Sequence, residues 1–132
     1  MRNEQGFFLL ETIVLGMILL AAVEVLGLYY SIEYMRRDSA AETTALFLAQ
    51  EQCARVAAVQ NSAEILPEGP LAWLGKTPCP IVKNGYSFQV ESTLSKNTSS
   101  LNLQNLETRV IWSEGSKNKQ IMIQRVIKCY EK

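Results

Sequence analysis

The sequence predicts an α+β fold in which a long N-terminal helix, membrane-spanning in its first half, packs on a small antiparallel sheet. Three observations predict it. Residues 7–30, FFLLETIVLGMILLAAVEVLGLYY, are apolar apart from two charges, Glu11 and Glu24. Residues 31–60 contain no Gly or Pro and are dominated by helix formers. From Tyr86 onward, apolar and polar residues alternate with a period of two.

The apolar run, taken as a helix, is about 36 Å long at about 1.5 Å per residue. That is enough to cross a hydrocarbon core of about 30 Å. The expected organisation is therefore a head over residues 1–6, a transmembrane helix over 7–30, and a soluble domain over 31–132. A removable secretory signal fits poorly. The run is too long, and Leu28-Tyr29-Tyr30-Ser31 lacks the small residues of a cleavage site. An uncleaved signal anchor, leaving a bitopic binding or sensor protein, fits the residues of the run itself.

Within the soluble domain the helix is expected to continue over 31–61. Leu46, Ala49, Cys53, Val56 and Ala57 recur at three- and four-residue spacing and form an apolar stripe. Pro67, Gly69, Pro70, Gly75, Pro78, Pro80 and Gly85 make 62–85 an irregular connection. Leu71, Trp73 and Leu74 are its candidate plugs onto the core, with Trp73 also a candidate partner contact. The sheet is expected over 86–128. Tyr86, Phe88, Val90 and Leu94 share one face of its first strand. Residues 95–105 read as a polar turn. Leu106–Trp112 and Ile121–Ile127 read as strands joined by a connection over 113–119.

Composition narrows the function. The chain of 132 residues balances 13 basic against 13 acidic residues and has no histidine. Histidine-dependent nucleophilic catalysis and zinc ligand sets with imidazole are thereby excluded. The only aspartate is Asp38, so a carboxylate-rich calcium loop is not expected either. No Gly-rich phosphate loop and no Gly-x-Ser-x-Gly occurs. The chain is expected not to be an enzyme and to carry no cofactor or metal. Lys117, Lys119, Arg125 and Lys128 form a mild basic cluster, read as a solvated sheet face; nucleic acid is not an expected partner. The three cysteines are Cys53, Cys79 and Cys129. Outside the cytoplasm an odd count predicts one bridge and one spare thiol. Cys53 lies on the apolar stripe as a small hydrophobe, and Cys79 with Cys129 is the candidate disulfide.

The informative residue in the run is Glu11. A carboxylate near the bilayer interior costs about 2.5–3.5 kcal/mol on insertion scales, so its partner matters. Cleavage after Gly6 would create a cationic amine on Phe7, one helical turn before Glu11. In a bundle of such helices, Glu11 of one subunit meets the Phe7 amine of the next, and the buried pair sets axial register. Without cleavage, Glu11 is read as snorkelling to the interface. Glu24 lies thirteen residues on, about 220° around the helix at about 100° per residue, and so faces a different neighbour. It is a candidate helix–helix contact.

Gly6-Phe7-Phe8-Leu9-Leu10-Glu11 followed by the apolar run resembles the class III signal of type IV pilins and type II secretion pseudopilins. Residues 42–52, ETTALFLAQEQ, are similar to the end of the long helix in I-type minor pseudopilins and in V-type minor pilins. Residues 107–112, ETRVIW, are similar to a strand of those proteins. The resemblance implies cleavage between Gly6 and Phe7 by a prepilin peptidase, methylation of Phe7, and an assembly and register role for Glu11. It also implies a pilin-like fold, other minor and major pilin-like subunits as partners, and a task in initiating or capping a short periplasmic filament of a type II secretion system. A minor pilin of a type IV or competence pilus is the alternative within the family, and there weak DNA contact would matter. The expected location is the bacterial inner membrane, single-pass, with the N-terminus cytoplasmic and the C-terminal domain periplasmic. That orientation follows from the resemblance; the Arg36-Arg37 pair beyond the run slightly favours the opposite one. The run lacks the proline that many major pilins carry, which leaves the minor subunits.

Overall fold

The computed structural model describes residues 2–62, 66–99 and 102–128. They fall into two compact units, Met1–Ser39 and Ala40–Lys132. The helix α1, Arg2–Asn61, supplies all of the first unit and opens the second.

In the first unit the apolar side chains are exposed all round the helix, from Phe7 at 71% to Tyr34 at 63%. A helix apolar on every side has the composition of a membrane span. It is long and apolar enough to cross a membrane, consistent with a single-pass membrane protein.

The second unit lays the later part of α1 on an antiparallel sheet. Its strands are β1 (Gly69–Leu71), β2 (Ile81–Lys83), β3 (Tyr86–Lys96), β4 (Leu103–Glu114) and β5 (Lys117–Lys128). The order is β1-β3-β4-β5, with β2 also paired to β3. The α+β layout expected from the sequence is therefore present.

The helix buries Ala41, Ala45, Leu48, Ala49, Gln52, Cys53, Val56 and Gln60. Three small alanines let its backbone approach the sheet, and bulk comes from the other side. Phe88 and Trp112 sit opposite each other on β3 and β4, with ring centroids 5.9 Å apart. Val90, Leu94, Leu106 and Val110 complete that sheet face. Leu46, expected in the stripe, is 41% exposed. Ala49, Cys53 and Val56 are buried as expected, and Ala45 and Leu48, on either side of Leu46 in the chain, take the sheet-facing positions in its place.

The connection 62–85 differs from the irregular loop expected. β1 pairs with β3 (Gly69 opposite Leu94, Leu71 opposite Ser92), and β2 pairs further along (Ile81 opposite Phe88). Strands of three residues are too short to show periodicity. The legible signal was Asn84-Gly85, both at positive φ (53° and 81°), the pair that a tight β2–β3 hairpin demands. The polar stretch 95–105 is also partly strand, since β3 runs to Lys96 and β4 begins at Leu103. The connection 113–119 contracts to Gly115-Ser116, with Glu114 paired to Lys117. Gly115 has φ 60°, and Lys119 Nζ lies 2.6 Å from Glu114 Oε2 across the hairpin.

Candidate functional site

The first candidate region is the start of the apolar helix. Phe7 and Glu11 are four residues apart on α1, hence one turn and about 6 Å along the axis. Both are in helical backbone, and the intervening turn is closed by Thr12 Oγ1 donating to the Phe8 carbonyl at 2.7 Å. Gly6 is helical too, and a Cβ built there meets nothing within 4 Å. A glycine inside a helix costs about 1 kcal/mol relative to alanine, and nothing within the chain requires one here. The same holds for Gly16 and Gly27. Among the described residues no cation pairs with Glu11 or Glu24. The helix carries these two carboxylates on different faces, about 220° apart.

The apolar run ends in a cluster that sequence reasoning did not single out. Tyr29, Tyr30 and Tyr34 are exposed, and Glu33 accepts hydrogen bonds from Arg36 Nη2 at 3.0 Å and Arg37 Nε at 3.4 Å. The hydrogen bond from Arg36 holds the Glu33 carboxyl below its ordinary value; partial desolvation opposes this, and the charges of both arginines reinforce it. The same bond raises Arg36. Aromatic rings followed by arginines are the residues that sit at a membrane–water interface. The findable signal was Tyr29, Tyr30 and Tyr34 with Arg36-Arg37 directly after the run.

In the second unit several buried polar groups are paired, while Trp112 Nε1 is buried without a hydrogen-bond partner among the described residues. Gln52, fully buried, accepts the Leu74 N–H at 3.0 Å and donates to the Ala72 carbonyl at 3.0 Å. Cys53 is buried at 2% and donates to Thr108 Oγ1 at 3.5 Å, which lies 3.4 Å from Ser92 Oγ. This is a packing role for the thiol. Trp73, Leu71 and Leu74 are half-buried against the core, as the plug reading has it. Trp73 Nε1 donates to the Thr77 carbonyl at 2.8 Å. Cys79 is exposed and unbridged among the described residues, and its sulfur receives the Val90 N–H at 3.5 Å. Cys129 lies outside the described residues, and with it the candidate Cys79–Cys129 bridge. Lys117, Lys119, Arg125 and Lys128 all lie on β5, and Lys119 is engaged with Glu114.

Among the described residues no three His, Cys, Asp or Glu side chains converge as a metal site. The arrangement offers an apolar helix with carboxylates on two faces, and a second unit built on a packed core. No family model, curated protein or solved structure matches the chain.

Proposed function

We propose that the chain is a minor pseudopilin-like subunit that helps initiate or cap a short periplasmic filament of a type II secretion system. A prepilin peptidase cuts between Gly6 and Phe7 and methylates Phe7. The helix then leaves its lipid surroundings for the company of other pilin-like helices.

One observation carries this reading. Gly6, Phe7 and Glu11 occupy one stretch of an otherwise uninterrupted apolar helix, and Gly6 answers to no packing need of the chain itself. What distinguishes Gly6 from Gly16 and Gly27, which are equally open, is its place directly before Phe7 and five residues before Glu11, and on this reading the carboxylate answers to what the chain meets. Cleavage supplies that counterion in the form of a new amine at the edge of the apolar run. Pairing it with Glu11 of a neighbour neutralises both charges in a low-dielectric surrounding and fixes how far one helix slides along the next. The Tyr29–Arg37 cluster supports a boundary just beyond the run, where the domain emerges from the membrane.

The test is processing in membranes that hold a prepilin peptidase. The chain is expected to shorten on a gel, and Gly6→Val is expected to remain full length. Shortening of Gly6→Val to the same degree, or no shortening of the parent, contradicts the proposal.

A further inference from the structure

β5 is the long edge of the sheet. It pairs with β4 without a break from Lys117 opposite Glu114 to Lys128 opposite Leu103. Among the described residues no strand pairs with its other side. An antiparallel edge strand turns the N–H and C=O of every second residue outward. Edges of this kind are usually short, or blunted by a proline, a bulge or charged side chains, and of these β5 has only the charges, which bar strands of like charge but not acidic ones. β5 has 12 residues, contains no proline, and keeps an even register throughout.

Its charges are one-signed. The strand reads KNKQIMIQRVIK, with Lys117, Lys119, Arg125 and Lys128 and no acidic residue. Register fixes their faces. Lys119, Ile121, Ile123 and Arg125 stand opposite Trp112, Val110, Thr108 and Leu106, on the helix-covered face. Met122 and Val126, 52% and 55% exposed, lie on the other face. Pairing two copies of β5 antiparallel about Met122 sets Lys119 opposite Arg125, and about Ile121 sets Lys117 opposite Arg125; about Ile123 no two charges meet. Like charges directly opposite destabilise a pair, so two of the three central registers of self-pairing are disfavoured.

We infer that the β5 edge accepts an extended acidic segment of another protein by strand addition. Backbone hydrogen bonds supply the affinity. Lys117 and Arg125 select carboxylates on one face, and Met122 and Val126 take apolar residues on the other. This does not depend on the filament reading above.

The test uses the full chain in detergent micelles and a twelve-residue peptide of alternating Glu and Val. The controls are the same peptide with Lys for Glu, and the Glu–Val peptide N-methylated at alternate residues. The Glu–Val peptide is expected to bind and to slow hydrogen exchange of the outward β5 amides about tenfold. The N-methylated and Lys peptides are expected not to bind. The double variant Lys117→Glu/Arg125→Glu should weaken binding about tenfold. No binding, binding indifferent to N-methylation, equal binding of the Lys peptide, or protection on β1 or β2 instead would each overturn the inference.

Discussion

Gln52 on α1 and Leu74 in the β1–β2 connection are joined by a hydrogen bond of 3.0 Å from the Leu74 N–H to Gln52 Oε1. The same carboxamide donates to the Ala72 carbonyl, so one fully buried side chain satisfies the loop backbone at two points. Gln52→Leu keeps the volume and removes both bonds, stranding the half-buried Leu74 N–H, while the carbonyl of exposed Ala72 can turn to water. It should destabilise the domain by roughly 1–3 kcal/mol. Urea unfolding of the full chain in micelles, followed by tryptophan fluorescence, should show a lower midpoint with an unchanged slope.

Gly75 faces Trp73 so closely that a Cβ would lie 2.2 Å from the indole ring. Gly75→Ala must push the ring away, breaking the bond from Trp73 Nε1 to the Thr77 carbonyl. A cost of about 1–3 kcal/mol is expected, with red-shifted emission from Trp73. An unshifted spectrum and unchanged stability would mean that the ring is not held there.

These two sites show what was legible and what was not. The alternation of Phe88, Val90 and Leu94, and the Gly-free run after Tyr30, are local patterns, and they foretold the helix and the long strands. The apolar run foretold the exposed helix for the same reason. Gln52 reads as one polar residue among several in ALFLAQEQ, because its partners lie twenty and more residues away. The exposure of Leu46 was not legible because, in the apolar stretch ALFLA, hydrophobicity alone cannot say that Ala45 and Leu48 face the sheet and Leu46 does not. β1 and β2 exist through pairing with β3, which no window of three residues records. The proposed roles of Gly6, Phe7 and Glu11 could be framed from the sequence because these residues lie within one helical turn and a half of one another.

Glu33 tests the electrostatics beyond the apolar run. Its carboxyl lies below the ordinary value of 4.5, first through the hydrogen bond from Arg36. A group whose value is depressed on folding contributes stability above its unfolded value, and that contribution is lost as pH falls through the lower, folded value. NMR titration should place the Glu33 midpoint below 4.5. Arg36→Ala should move it back up, and added salt should do so in part. A midpoint indifferent to Arg36 would contradict the pairing.

Glu11→Ala separates cutting from assembly. Gly6 and Phe7 are untouched, so processing should continue, while the Phe7 amine of a neighbour loses its counterion. Incorporation into filaments, measured by co-isolation with the major subunit, should fall about tenfold or more, as for one partner removed from a buried ion pair. Normal incorporation would remove the register role of Glu11.

Mass spectrometry of the N-terminus of the protein extracted from its own membranes decides whether the Phe7 amine exists. A chain that begins with N-methylated Phe7 is the expected result. A functional protein that still carries the residues before Phe7 would contradict it, because Glu11 would then have no such amine to meet.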